Sequence, residues 1–347
     1  MPAGTDYPAR YADFLAWFGD DEACLDYLDW LRWPDGRFIC PFCQGSTRWK
    51  MHDRWRCATC RRRVSATAGT LFALTRTPLT VWFEAAWRMT TSKNGVSALE
   101  LQRTLGLGSY QTAWTMLHRF RIAMGAGDKE RLGGRVEVDE TFIGGPRSGV
   151  RGRGAAGKAM VVIAVELIGA HAFGRVRMKV IPDAKIVTLK EFLITSTSPG
   201  SKVVTDGLMA YRKAAVGYEH TVHVVDGSGH QAHELLPAVH RVAALVKRWI
   251  DATHQGGIQA EHLPAYLDEF TFRFNRRRSR APGMLFYRLI QATVNAPATT
   301  YREIAQGLVT KQTPLSGRTG PHSQPGTLAL TPLNKPWREG PRNGEPL

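Results

Sequence analysis

Residues 135–145 read RVEVDETFIGG, and this stretch decides the fold of the second half of the chain. Apolar and polar side chains alternate along it, as in a β-strand with one buried face, and it ends in Gly-Gly. In a regular strand Glu137 and Asp139 lie on one face and Glu140 on the other. We therefore take Asp139 as the first candidate ligand of a site, Glu137 as a weaker alternative, and Glu140 as structural.

The segments after this strand predict an α/β domain. Further strands are expected at 159–168, 173–181, 201–207 and 221–225, and helices at 184–196, 208–215 and 236–250. With the first strand they give the order βββαβαβα, which is the element order of a ribonuclease-H-like sheet. We place this domain at 133–295, with a Gly-rich basic loop at 145–158.

Composition narrows the class of partner. The chain has 347 residues, a formal net charge of +16 and a pI of about 10. This favours a polyanionic partner, usually nucleic acid, although a basic membrane-surface or ribosomal protein would look similar. No apolar run reaches the ~18–20 residues of a membrane span, and the N-terminus lacks a secretory pattern. We expect a soluble, cytoplasmic protein.

Four of the five cysteines form two C-x-x-C pairs that indicate a metal site. Thirteen residues separate CPFC from CATC. In an intracellular protein such pairs favour metal over disulfides, and four thiolates fit a tetrahedral structural Zn²⁺. Two redox motifs are the alternative, but the surrounding βαβ pattern is missing. We predict a zinc ribbon at 37–66 with Cys40, Cys43, Cys57 and Cys60 as ligands; Cys24 is expected to pack as a small buried hydrophobe.

The remaining segments suggest DNA contacts. Residues 97–121 have the form helix (97–105), turn (106–109), helix (110–121), within a helix-turn-helix-like region at 79–127. In it Gln111, Thr112 and Thr115 would face a groove, while Ala113, Leu117 and Phe120 would pack; a plain helical hairpin is the alternative. Arginines around the cysteines, Arg48, Arg54 and Arg56 among them, would contact phosphates or form a solvated face.

Three other segments complete the domain prediction. Residues 1–36 form an N-terminal helical segment, and 262–294 is helical and basic. From 296 to 347 the chain turns to Pro, Gly, Thr and Arg with little periodicity, so we expect a disordered tail.

Two further residues join Asp139 as candidates for phosphodiester chemistry, which needs a divalent metal held by ligands from adjacent elements. Asp206 ends the fourth strand, and His240 lies 34 residues later in the helix after the fifth. Lys247 follows seven residues on, about two helical turns, so it projects from the same side as His240. Asp226 fits no motif and is expected to be a loop carboxylate.

In this order, the ribbon, Asp139 in VEVDETFIGG, Asp206 in VVTDGLMAY, His240 with Lys247, and YLDEFTFRFNRR (266–277) resemble the DDE-type transposases of bacterial insertion sequences that carry an N-terminal zinc ribbon. The resemblance covers roughly residues 12–295. It implies a nucleoid-associated enzyme that binds the ends of its element as a homo-oligomer on double-stranded DNA, and that cleaves and transfers strands using Mg²⁺ or Mn²⁺.

The resemblance also implies residue roles. Asp139, Asp206 and His240 would hold the catalytic metal, and Lys247 would bind donor DNA. Further DNA contacts are expected from Arg54, Arg56, Gln111, Thr112, Arg248, Arg276 and Arg277.

One departure from the family pattern concerns His240, which stands where most DDE enzymes have Glu. Imidazole suits Mn²⁺ or Zn²⁺ better than Mg²⁺. Two other classes of function therefore stay open. One is a non-catalytic DNA-binding regulator with a degenerate acidic site, and the other is a nuclease of the same fold that cuts without joining.

Overall fold

The computed structural model describes residues 6–51, 54–127, 130–144, 158–169, 172–224, 232–255 and 257–308. Asp226, the loop predicted at 145–158 except its last residue, and the chain beyond 308 lie outside this part. The chain divides into two compact units. Of the described residues, those up to 91, 114–123 and from 281 on form the first unit, and those at 92–113 and 124–280 form the second. No helix in the described ranges could cross a membrane.

The elements follow the predicted order. The helices are α1 (Tyr11–Trp17), α2 (Asp21–Arg32), α3 (Leu79–Thr91), α4 (Ala98–Thr104), α5 (Tyr110–Gly127), α6 (Ile186–Ser196), α7 (Met209–Ala214), α8 (Ala232–Leu235), α9 (Pro237–His254), α10 (Leu263–Asn275), α11 (Pro282–Asn295) and α12 (Tyr301–Ala305). The strands are β1 (Arg48–Lys50), β2 (Trp55–Cys57), β3 (Arg63–Val64), β4 (Arg135–Ile143), β5 (Ala159–Ile168), β6 (Ala172–Ile181), β7 (Lys202–Thr205) and β8 (Glu219–Val222).

An aromatic cluster forms the core of the first unit. Phe286 of α11 lies between Phe14, Phe18, Phe83 and Trp87, with ring centroids 5.4, 5.6, 5.6 and 5.7 Å away. Each ring removes a large apolar area from water, so the cluster binds α11 to the N-terminal helices. This helix therefore belongs with α1–α3, although it follows the sheet domain in sequence.

The compact second unit ends at Arg280, before the predicted domain end at 295. The predicted helical segment 262–294 breaks between α10 and α11. Pro282 stands in the first turn of α11, and Ala281 before it is extended (φ −114°, ψ 109°). A proline restricts the residue before it to such conformations, so the helix cannot continue through this point.

Residues 296–308, the described part of the predicted tail, contain local structure. Thr70 pairs with Pro297 in an isolated bridge. Helix α12 begins with a capping box, in which Thr300 Oγ1 accepts from the Glu303 N–H and Glu303 accepts from the Thr300 N–H. These local hydrogen bonds satisfy helix-end donors in a segment with weak hydrophobic periodicity.

The second unit is built on a five-stranded sheet in the order β6-β5-β4-β7-β8. β6, β5 and β4 are antiparallel, and β7 and β8 run parallel to β4. This mixed sheet confirms the predicted ribonuclease-H-like α/β class. Because side chains alternate along a strand, β4 has two different faces. Its odd-numbered residues face a core with α9 and α10, and its even-numbered residues face one with α6 and α7.

The end of α10 covers part of strand β6, which forms one edge of this sheet. Asn275 accepts from the Val176 N–H at 2.8 Å and donates to the Val176 carbonyl at 3.2 Å, as a neighbouring strand would. Arg277 donates to the carbonyls of Gly174, at 3.0 Å, and Phe173. These contacts satisfy backbone groups that an edge strand would otherwise offer to another chain.

The linker between α3 and α4 is held by α9 and α10. Trp249 Nε1 and Thr253 Oγ1 donate to the Asn94 carbonyl at 2.9 and 2.7 Å. The Arg273 guanidinium donates to two more linker carbonyls, one of them at 3.0 Å. Four side-chain hydrogen bonds thus join the linker at 92–95 to the two helices.

We predict that Gly95→Ala destabilises the protein more than Gly106→Ala. Both glycines have positive φ (+78° and +61°), which costs an alanine roughly 1–2 kcal/mol. A Cβ at Gly95 would also lie 2.6 Å from Arg273 Nη1 and 3.2 Å from Trp249 Nε1, whereas one at Gly106 has nothing within 4 Å. The crowding should add about 1–3 kcal/mol in urea denaturation. Equal losses in the two variants would show that the linker contact is not tight.

Candidate functional site

The four predicted zinc ligands lie together in the first unit. Their sulfur atoms all lie within 4.8 Å of one another, with Cys40–Cys60 at 3.7 Å and Cys43–Cys57 at 3.5 Å. Each C-x-x-C forms a turn closed by a backbone hydrogen bond to the next residue, from the N–H of Gln44 or Arg61 to the carbonyl of Cys40 or Cys57, both 2.9 Å.

Chemistry at these sulfurs fits Zn²⁺. Backbone N–H groups, first that of Cys60, and the neighbouring thiols lower the pKa of the Cys57 thiol to about 6, against the opposing effect of burial. A lowered thiol pKa favours the thiolate, which is the form that binds metal. Independently of that shift, four cysteine sulfurs at this spacing fit the closed tetrahedral geometry of a structural zinc site. Cys24 lies apart and is fully buried, as predicted.

Arg48 has a different surrounding from the predicted phosphate contact. Its guanidinium lies over the ring of Trp55 at 3.6 Å and that of Trp33 at 4.8 Å, and it pairs with Asp29 at 3.3 Å. The side chain is 13% exposed. Arg48 therefore joins the ribbon to α2 from within and is not part of a basic surface.

The sheet brings Asp139 and Asp206 side by side. β4 and β7 are parallel with Val138 opposite Thr205, so the next residue of each, Asp139 and Asp206, is at the same level and on the same face. Asp206 is one residue beyond the end of β7, where its Oδ1 accepts from the Leu208 N–H at 3.0 Å. Adjacent parallel strands thus place the two carboxylates on one face of the sheet, where β7 ends.

Helix α9 covers the same face of β4 and adds His240. His240 Nε2 lies 3.7 Å from Asp139 Oδ2, and the two side chains are 32% and 17% exposed. Two turns further along α9, Lys247 Nζ donates to Thr141 Oγ1 at 2.6 Å. His240 and Lys247 therefore lie on one side of the helix, as predicted. They face Asp139 and Thr141, respectively, on one face of the strand.

Glu137, the weaker candidate ligand, instead contacts the start of α9. Its carboxylate is 2% exposed and accepts from the backbone N–H groups of Ala238 and Val239 at 2.8 and 3.1 Å. Burial raises the pKa of Glu137 above its usual value, although these two N–H groups oppose the shift. No signal in the sequence pairs residue 137 with residues 238 and 239, because the contact joins segments 101 residues apart.

Glu140 lies on the opposite face, as predicted, and meets Tyr211. The buried Tyr211 hydroxyl donates to Glu140 Oε1. Burial, followed by the charge of Glu140, raises the pKa of Tyr211 well above its usual value, so the phenol stays protonated as the donor. Tyr211 was not among the residues predicted for the site, although it follows Asp206 by only five positions.

The site concentrates negative charge around Asp139. Burial, then the charges of Glu140 and Asp206, raise the pKa of Asp139 to about 7, while Lys247 opposes the shift. The pKa of Lys247 is lowered, first by burial and then by Lys158. Carboxylates that repel each other in this way are relieved by a cation, and two carboxylates with an imidazole fit a divalent metal such as Mn²⁺.

The three candidate ligands are more widely spaced than the cysteines. Among the described residues, only the four cysteines form a group of three or more His, Cys, Asp or Glu side chains whose ligand atoms all lie within 4.8 Å. Asp139 and His240 lie 3.7 Å apart. The ligand atoms of Asp139, Asp206 and His240 are not all within 4.8 Å of one another.

The predicted helix pair is present as α4 and α5. Ser97 and Ser109 cap the two helices, with Ser97 Oγ accepting from Glu100 N–H and Ser109 Oγ from Thr112 N–H, both at 3.1 Å. Gln111 is exposed and Thr112 partly so, while the residues predicted to pack are buried: Ala113, Leu117 and Phe120.

The remaining predicted DNA contacts differ in their surroundings. Arg54 and Arg248 are exposed. Arg56 Nε donates to the Arg61 carbonyl at 3.0 Å, and Arg276 stacks on Phe272 at 4.0 Å. Arg277 donates to backbone carbonyls at the edge of the sheet, so its role there is structural.

We predict that Asp139→Asn flattens the pH dependence of stability in the zinc-loaded protein without added Mg²⁺ or Mn²⁺. A carboxyl whose folded pKa is raised from 3.8 to about 7 gives stability that is present at low pH and lost as the pH rises through about 7. Between pH 5 and 8 this group should cost wild type about 3 kcal/mol by urea denaturation, and the Asn variant should not show that loss. Asp251→Asn, an exposed change on α9, is the control; identical slopes in all three proteins would contradict the assignment.

Two family models match the chain, each over one part of it. The ISXO2-like transposase domain matches residues 131–275, which begin before β4 and end with α10. The transposase zinc-ribbon domain matches residues 19–63, which contain α2 and all four cysteine ligands. A comparison with curated proteins gives no match. The two matched domains occur in the predicted order, and they confirm the resemblance to insertion-sequence transposases with an N-terminal zinc ribbon.

Proposed function

We propose that the protein binds the ends of its insertion sequence and catalyses metal-dependent DNA strand cleavage and strand transfer. The observation that carries this proposal is the meeting of three elements on one face of the sheet. Asp139 on β4 lies beside Asp206 at the end of β7 and 3.7 Å from His240 on α9. A divalent-metal site for phosphodiester chemistry requires ligands from adjacent elements that converge at one point.

In this proposal Asp139, Asp206 and His240 hold Mg²⁺ or Mn²⁺. When bound, the cation would lower the barrier for attack of water or a 3′-hydroxyl on a phosphodiester. Lys247 lies on the same side of α9 as His240 and is exposed, which supports a role for its ammonium in binding a DNA phosphate next to the metal ligands. Arg248 follows it on the exposed part of the helix.

The DNA ends would be bound by the zinc ribbon and the α4–α5 region. Arg54 and Arg56 extend the ribbon's positive charge, and Gln111 and Thr112 lie in the first turn of α5, where a recognition helix reaches base edges. Arg276 adds charge after α10. The net charge of +16 supports a polyanionic partner, and family behaviour suggests a homo-oligomer on paired ends.

We predict that Asp139→Ala and Asp206→Ala abolish cleavage and strand transfer but leave binding to end DNA within about twofold. Each variant removes a metal ligand, and the loss of turnover should be at least about 100-fold. The assay follows joining of a pre-cut, labelled end to plasmid DNA, with binding measured by fluorescence anisotropy.

Asp251→Ala, an exposed carboxylate on α9, is the matched control and should join normally. Strand transfer by either active-site variant at the wild-type rate would refute the ligand assignment. Cleavage without joining by the wild-type protein would identify a nuclease, and DNA binding with neither step a regulator.

The zinc ribbon depends on its four cysteine ligands. Cys57→Ser should release zinc and weaken binding to end DNA at least about 10-fold, because a structural zinc site supplies much of the folding energy of a small ribbon. Cys24→Ala, the same residue type buried outside the cluster, should keep one zinc per chain. Zinc is measured by elemental analysis and binding by anisotropy; full zinc content in Cys57→Ser would exclude the four-cysteine site.

A further inference from the structure

The first turn of α9 has few ways to satisfy its backbone donors. Pro237 stands at its first position and has no N–H to offer. The residue before it is Leu236, whose side chain cannot accept a hydrogen bond, so the helix has no local cap. The N–H groups of Ala238 and Val239 are the next donors, and both residues are buried away from water.

Both donors are satisfied by one carboxylate oxygen from the sheet. Glu137 Oε2 accepts from Ala238 and Val239 at 2.8 and 3.1 Å. A carboxylate at this end of a helix is also favoured by the helix dipole. Because the contact is buried and made by two hydrogen bonds, it fixes both where α9 begins and how it is rotated against β4.

That placement bears directly on His240, which follows Val239 in the helix. Glu137 and Asp139 are two residues apart on one face of β4, roughly 6–7 Å along the strand. A helix whose second and third residues are held at Glu137 presents its next residue, His240, to Asp139 at 3.7 Å. A further polar contact between the two elements, from Lys247 to Thr141, is a single hydrogen bond made by a long, exposed side chain, and it constrains the helix less.

We propose that Glu137 is a positioning residue that sets the third metal ligand, His240, against Asp139 by anchoring the start of α9. This inference rests on the proposed metal site. Glu137 is not itself a ligand, since the oxygen that meets α9 already accepts two hydrogen bonds and the side chain is 2% exposed.

The test uses full-length, zinc-loaded protein and two substitutions of similar size. Glu137→Gln keeps a side-chain oxygen that can accept both N–H groups, and Glu137→Met keeps the volume without an acceptor. Mn²⁺ affinity is measured by calorimetry, and the ¹³Cε1 signal of His240, assigned with His240→Gln, is recorded by NMR before and after Mn²⁺ is added.

We expect Glu137→Gln to retain Mn²⁺ affinity within about threefold, with the metal-free His240 signal unchanged. Glu137→Met should lower the affinity about 10-fold, shift the metal-free His240 signal and reduce its broadening by Mn²⁺, because loss of an outer-shell contact costs affinity on this order. If the Met variant does not fold, Glu137→Asp, one methylene shorter, should give a smaller change in the same direction.

A double variant separates positioning from other roles. In a His240→Ala background, Glu137→Met should cause no further loss of Mn²⁺ affinity, because its effect passes through the imidazole. Additive losses would overturn the inference, as would a Gln variant that loses affinity as strongly as Met, which would make Glu137 a ligand by its charge. An unchanged His240 signal in the Met variant would also overturn it.

Failure of the proposed function has a different signature. If Asp139→Ala binds Mn²⁺ as tightly as wild type, the metal site is wrong, and the metal-free His240 signal still reports whether Glu137 positions α9. If Asp139→Ala loses Mn²⁺ but neither Glu137 variant alters His240, the metal site stands and the positioning role is refuted.

Discussion

The contact between β4 and α9 is the constraint on which the second unit depends. Three successive residues on one face of the strand meet the helix: Glu137 at its first turn, Asp139 at His240 and Thr141 at Lys247. The apolar residues of α9 pack on the same face of the sheet and stabilise the contact, but packing alone tolerates sliding and rotation. Hydrogen bonds to buried backbone groups do not, since each unmade one leaves a donor without a partner.

The same contact explains a cluster that would otherwise only lower stability. Asp139 has two negative neighbours, Glu140 and Asp206, and its pKa rises to about 7. Selection for stability alone would not place three carboxylates this close together. In a chain of net charge +16 such an arrangement is suited to holding a cation against a DNA phosphate, with Lys247 beside it. The zinc cluster in the first unit is the contrasting case, because its four ligand atoms already lie close together.

Local patterns in the sequence predicted much of this. Alternation at 135–145 places Asp139 and Glu140 on opposite faces, helical spacing puts His240 and Lys247 on one side, and two C-x-x-C pairs predict the cysteine cluster. The contacts that local patterns could not predict join distant segments. Glu137 reaches α9 101 residues away, and Arg48 is drawn inward by aromatic rings. α11 leaves the sheet domain because Phe286 packs among N-terminal aromatic residues.

The proposed function requires Asp139, Asp206 and His240 to hold one divalent cation. Pulsed electron paramagnetic resonance of Mn²⁺ bound to the full-length, zinc-loaded protein tests it directly, since a coordinated imidazole nitrogen couples to the metal spin. We expect one ¹⁴N coupling that is lost in His240→Gln, and no stoichiometric Mn²⁺ binding in Asp139→Ala. A bound Mn²⁺ without nitrogen coupling, or with coupling that survives in His240→Gln, would contradict it.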